Sequence, residues 1–273
     1  MRLALLPVVL AGLIACEMPA SAQTYSSTRP IPATTSIPTL HAQAVARAVH
    51  ERFRIGLAAL DASDWGRAAT QFEAVVALHP TEPKGSTAWY DLAIAQANLG
   101  QNDAAAASLN AALALDHAFL AAMANLIAID LRRGDVRDAR EVADRFVALA
   151  PDSARALYSR GLIALRMDNF AVARSDFAKL LSNDPSYAVA HYDLGVTEAR
   201  IGAFGTAQHE FASALALAPR YARARFALGT ILLREGHRAE ALAAFERAAR
   251  DSSDDPTLHG LAIAMRDAIA TSH

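Results

Sequence analysis

Cysteine is nearly missing from this chain of 273 residues, and the one present, Cys16, permits neither an intramolecular disulfide nor a cysteine-based zinc site. Lysine is almost as scarce: of 26 basic residues only Lys84 and Lys179 are lysines, and the formal net charge is −2. With no excess of positive charge there is nothing to drive sequence-independent binding of nucleic acid, which is not expected as a partner. Aromatic residues make up 7%, and glycine and proline number only 13 and 11, a profile that argues against a β-sandwich or barrel. Motifs of catalysis are also missing. There is no glycine-rich phosphate loop, no GxSxG and no HExxH, and the nine histidines, at 41, 50, 79, 117, 191, 209, 237, 259 and 273, form no i, i+4 pair. No catalytic, metal-binding or cofactor-binding residue is therefore assigned. What is present is an apolar content of 53%, much of it alanine, which favours closely packed helices.

The first residues read as an address. Met1 and Arg2 precede an apolar run, Leu3 to Ala15, too short to span a bilayer but of the length of a signal-peptide core. Two cleavage sites are open. Ala20-Ser21-Ala22 before Gln23 suits ordinary secretion and makes residues 1–22 the leader; Leu13-Ile14-Ala15-Cys16 resembles the bacterial lipobox, which would end the leader at residue 15 and lipidate Cys16. Either way the expected destination is the periplasm, free or held to the membrane by a lipid anchor. Residues 23–38, with three prolines and seven serines or threonines, cannot bury enough apolar surface to offset the entropy of ordering and are expected to be a disordered linker.

Beyond it the chain repeats itself. Ala105, Ala139, Ala173, Ala207 and Ala241 stand 34 apart, as do Leu109, Ala143, Phe177, Phe211 and Phe245. Gly100, Gly134, Gly202 and Gly236 share the lattice, with Asp168 in the remaining slot, and Pro151, Pro185 and Pro219 follow it too. Registers begin at Ser86, Leu120, Ala154, Ala188 and Ala222. An earlier unit from about Val49 supplies Gly56, Ala68, Phe72 and Pro80, with PTEPKG inserting three or so residues before the next. Each unit reads as two amphipathic helices. In the fifth, Val189, Tyr192, Val196 and Ala199 recur at helical spacing up to Gly202, and Ala207, Phe211, Ala214 and Leu215 line the second helix, which stops at Pro219. The alanine must be small where helices cross closely, and the phenylalanine is expected to fill the gap between layers.

On Trp89 and Leu92 in the second unit, Leu194, Gly195, Ala207, Phe211, Ala214 and Pro219 in the fifth, and Leu228, Gly229, Ala241, Phe245 and Ala248 in the sixth, the sequence resembles the tetratricopeptide repeat family. The resemblance runs from about Val49 to Asp255. It implies an all-α fold, a right-handed α-solenoid of six helix-turn-helix units at about 49–82, 86–119, 120–153, 154–187, 188–221 and 222–255. Thr39 to Arg52 lengthens the first helix, and 256–270 reads as a capping helix, giving a repeat domain over 39–270.

The resemblance also implies a concave groove lined by first helices, in which the fifth residue of each unit commonly faces a bound segment. That position holds Phe53, Tyr90, Ala124, Tyr158, Tyr192 and Phe226, of which Tyr90, Tyr158, Tyr192 and Phe226 are the candidate anchors. The same aromatic can serve packing alone. Arg132, Arg166, Arg200 and Arg234 form a second ladder, joined by Arg155 and Arg223, suited to acidic groups of a partner. Each ladder arginine also lies in the last turn of its helix, where a cation complements the helix dipole without any ligand. The carboxylate clamp of some family members is absent: Asn125 is the one asparagine at the matching sixth position, and Tyr90 and Ile94 stand where lysine and asparagine are needed. His191, at a packing position, is expected to be a satisfied interior histidine. The function expected is a non-enzymatic scaffold or adaptor for a protein or peptide in the bacterial cell envelope. The alternatives are a pilotin-like lipoprotein for pilus or secretin assembly, a self-associating structural protein, and a saccharide-binding role for the aromatics.

Overall fold

The computed structural model describes residues 37–78 and 84–271, the side chains of 37–40 excepted. The expected leader, Cys16 and the linker as far as residue 36 lie outside the described residues. Among the described residues there are thirteen helices and no strand. In chain order they are α1 (Ile37–Asp61), α2 (Trp65–Val76), α3 (Lys84–Asn98), α4 (Asn102–Leu115), α5 (Leu120–Arg133), α6 (Val136–Leu149), α7 (Ala154–Arg166), α8 (Phe170–Asn183), α9 (Ala188–Arg200), α10 (Phe204–Leu217), α11 (Ala222–Arg234), α12 (Arg238–Asp251) and α13 (Pro256–Thr271); α1 pairs with α2, α3 with α4, α7 with α8, α9 with α10 and α11 with α12, and α13 closes against α12. These are the helix pairs that the period of 34 predicts, in the all-α solenoid that the resemblance implies. The chain divides into two compact bodies after Ala139, within α6.

The bend inside each pair rests on one left-handed residue. Gly100, Gly134, Gly202 and Gly236 have φ between 77° and 88°, and Ser63 and Asp168 occupy the same slot at 57° and 56°. A β-carbon is disfavoured there, which explains why glycine recurs and why the two exceptions are short polar residues. Side chains close several helix starts as well: Asp64, Ser153 and Asn169 accept from the amides of Arg67, Ala156 and Val172.

In the pairs α1–α2, α7–α8, α9–α10 and α11–α12 the helices are locked by a phenylalanine and a glycine. A β-carbon on Gly161 or Gly195 would lie 2.7 Å from the ring of Phe177 or Phe211, and one on Gly56 2.8 Å from Phe72. The rings thus plug against the glycine of their own pair, where the sequence pattern placed them in the gap between layers. In the second pair the same two positions hold Ala93 and Leu109, a smaller plug against a larger floor. At the end of the second body α13 starts with proline at its first position, and the Asp255 carboxylate accepts from the Leu258 amide at 3.1 Å. Its Leu258, Ala262 and Ile269 are buried, Ala262 against Ala248 and Ala249 and Ile269 against Ala241 and Phe245. No helix among the described residues is long and apolar enough to cross a membrane.

Candidate functional site

In each body the first helices lie beside one another, and their fifth residues meet partners that the repeat itself supplies. Tyr158 packs on Phe177 at 6.0 Å and on Tyr187 at 5.6 Å; Tyr192 packs on Phe211 at 5.9 Å and on Tyr221 at 5.1 Å. Phe226 meets Phe245, Phe53 meets Phe72, and Tyr90 meets Phe119. Each of these rings is therefore held by an aromatic of the second helix, by the last residue of the repeat, or by both. Tyr90 and Tyr158 are only 3% and 7% exposed, so two of the four candidate anchors are core residues, while Tyr192 and Phe226 are half-buried. Phe119, Tyr187 and Tyr221, also on the period of 34, complete the aromatic row. Their spacing could have revealed them beforehand.

The tyrosine hydroxyls tie one repeat to the next. Tyr158 donates to Asp193 Oδ2 at 2.9 Å, and Asn125 Nδ2 donates to the Tyr90 hydroxyl at 3.1 Å; both pairs join position five of one repeat to position six of the following one. Burial pushes the Asp193 carboxyl up to about 7, against the opposing effects of the Tyr158 hydroxyl and of Arg223. Asp91 occupies position six after Phe53, a residue with no hydroxyl to give. The Asp91 carboxyl is 0% exposed, neither oxygen has a hydrogen-bond partner among the described residues, and burial pushes it up to about 8.

The arginine ladder is partly engaged inside the protein. Arg200 pairs with Asp168 and lies 5.1 Å over the Phe170 ring, and Arg234 lies 4.2 Å over Phe204. These are cation–π contacts from one repeat to its predecessor. Arg132 and Arg166 are exposed at the same register. On the opposite edge of the second body's first helices, Arg223 pairs with Asp255 at 3.2 Å, and Arg155 is half-buried. His191 is satisfied, with Nδ1 2.7 Å from Glu210 and Nε2 3.1 Å from the Pro185 carbonyl. The described residues include no group of three or more His, Cys, Asp or Glu that could hold a metal ion.

Family models described as tetratricopeptide repeat match residues 53–118, 126–192 and 200–262. No curated protein matches the sequence. Among solved structures, a tetratricopeptide repeat protein from Parabacteroides merdae is 18% identical, with a TM-score of 0.66 over 82% of this chain and 100% of that one. YrrB, described as a TPR protein with an unusual peptide-binding site, is 18% identical with a TM-score of 0.57, covering 71% of this chain and 98% of its own. MamA from Desulfovibrio magneticus is 17% identical with a TM-score of 0.58, covering 62% and 96%. At these identities the likeness is one of fold.

Proposed function

The chain belongs to the tetratricopeptide repeat family, and from that premise we propose that it is a non-enzymatic scaffold that binds a segment of a partner protein across the first helices α7, α9 and α11. The observation that carries this reading is the distribution of charge on those helices. Arg155 and Arg223 stand at position two, Arg166, Arg200 and Arg234 at position thirteen, and between the two edges lie the half-buried Tyr192 and Phe226. Asp193 on this strip is buried, and Asp168 and Asp255 meet Arg200 and Arg223, so the guanidinium groups still exceed the carboxylates at these edges. In the first body the corresponding edge positions hold His50, Thr87 and Ala121, then Asp61, Asn98 and Arg132, with no such excess. A segment with apolar side chains flanked by acidic ones matches the strip, because guanidinium groups pair with carboxylates in a fixed fork and steer their approach. Tyr158 would hold the floor and leave contact to Tyr192, Phe226 and the arginines. The leader read at residues 1–22 supports a bacterial cell envelope as the place of action.

The test is capture of partners from envelope extract by wild-type protein and by an Arg166→Glu, Arg234→Glu variant of unchanged helical content. Capture is expected to fall by about tenfold or more, as two reversed charges at the strip each weaken the complex by a kcal/mol or so. Arg67→Glu, on the exposed face of α2, is expected to leave it unchanged. Equal capture by wild type and the double variant would refute the assignment of this face.

A further inference from the structure

On the side where first helices meet second helices, three buried carboxylates each hold a guanidinium: Asp130 and Glu198 at position eleven of their repeats and Asp176 at position twenty-three. Arg174 donates to both carboxylate oxygens of Glu198, at 2.7 and 2.6 Å. Arg160 grips Asp176 in the same two-pronged manner, at 2.8 Å twice. Arg133 reaches Asp130 at 3.3 Å and Asp103 at 2.8 Å. In α2, α3 and α4 the corresponding residues are Gln96 and Ser108, 7% and 3% exposed, with the Ser108 hydroxyl donating to Gln96 Oε1 at 2.7 Å. Gln96, Ser108 and Trp89 lie three periods before Glu198, Glu210 and His191, and Ala69, allowing for the three inserted residues, stands where Arg174 stands. The methyl group of alanine cannot fill that place. Next to Gln96 and Ser108, one helical turn along α2 from Ala69, is an open cleft of about 390 Å³ lined by Glu73, Val76, Ala77, Trp89, Leu92 and those two polar side chains.

We propose that this cleft receives an arginine side chain of a partner protein, which completes from outside the arrangement that other repeats complete with an arginine of their own. Each wall suits one part of that side chain. The indole of Trp89 offers a face to the planar guanidinium, and the Glu73 carboxylate an acceptor for its forked donors. Gln96 Oε1 and Ser108 Oγ keep unused lone pairs, and Val76 and Leu92 cover the methylene stem. Lysine, a compact and strongly hydrated charge, fits the stacked position less well. The cleft uses no residue of α7, α9 or α11, and a single amino acid can probe it without any knowledge of the partner.

The experiment titrates the full chain, in a Trp65→Phe background, with arginine blocked as N-acetyl and methylamide, and follows the indole N–H signal of Trp89 by NMR. Saturable movement of that signal is expected at roughly millimolar probe, as befits one side chain in an open cleft. Blocked citrulline, equal in shape and without charge, is expected to act at least about fivefold more weakly. Glu73→Gln should weaken the arginine response by a similar factor, and Ala69→Arg, which supplies the chain's own guanidinium, should abolish it. Glu73 is exposed, so its variant keeps the fold and remains a test even where Ala69→Arg disturbs packing. An equal response to arginine and citrulline, a response unchanged in Glu73→Gln, or silence toward every probe would overturn the proposal. A response to blocked leucine in preference to arginine would identify an apolar occupant and overturn it as well.

Discussion

Phe211→Ala is expected to lower the unfolding free energy of the second body by about 3 to 5 kcal/mol, the range for a large aromatic deleted from a packed core. Phe211 is only 1% exposed, and its ring lies against Gly195 and Tyr192, so truncation opens a void that rigid helices on both sides cannot close. Urea unfolding followed by far-UV circular dichroism gives the value from the shift in midpoint at constant slope. The repeats themselves provide a sharper version. Gly195→Ala alone should cost about 1 to 3 kcal/mol, since its β-carbon would be 2.7 Å from the ring. Adding Phe211→Leu recreates the Ala93 and Leu109 combination of the second pair, and part of the loss should return. A favourable coupling of about 1 kcal/mol or more between the two changes is the expected outcome. Simple additivity would mean that plug and floor are not matched to one another.

The lattice of 34 made the helix pairs legible because it repeats two things that a sequence states directly: which side chains are small, and where a left-handed residue ends a helix. Gly202 and Asp168 were readable in this way, whereas Ser63 was concealed by the three-residue insertion that shifts the first repeat. The packing of Tyr158 was only half legible. Its helical spacing says that the ring faces inward, but its burial depends on Phe177 and Tyr187 arriving from two other elements. The hydroxyl bond to Asp193 was not read because it follows a step of 35, one beyond the period, and so appears only when position five of one repeat is compared with position six of the next. Phe170 and Phe204 were missed beneath Arg200 and Arg234 for a similar reason. The arginines looked free in a single repeat, and their stacking partners belong to the preceding one.

That same step of 35, broken at Phe53, sets the second large effect. Asp91 is buried with no hydrogen-bond partner for its carboxyl oxygens among the described residues, and burial pushes that carboxyl up to about 8, far above the value near 3.9 of an unfolded chain. Between these two values the unfolded chain releases the proton while the folded one retains it. The stabilising contribution is therefore complete below about pH 4, falls as pH rises toward 8, and is constant above that. Asp193, raised to about 7, adds a loss of the same sign that ends earlier. Each pH unit in the window costs up to about 1.4 kcal/mol per group. Asp91→Leu keeps the branched skeleton and removes the charge. It is expected to stabilise the first body by roughly 2 to 4 kcal/mol near pH 8, and by much less near pH 3, where Asp91 is neutral in the folded chain and mostly so in the unfolded one. Trp65 and Trp89, the only two tryptophans, both lie in the first body, so tryptophan fluorescence in urea reads its unfolding. Phe53→Tyr approaches the same defect from the other side. A hydroxyl at position five, placed as Tyr158 is toward Asp193, should give Asp91 a donor and add about 1 kcal/mol. Combined with Asp91→Leu the hydroxyl has no carboxyl to meet, so that gain should disappear; a gain that survives would show that it does not come from Asp91. A pH dependence that is identical in wild type and Asp91→Leu would remove Asp91 as its source.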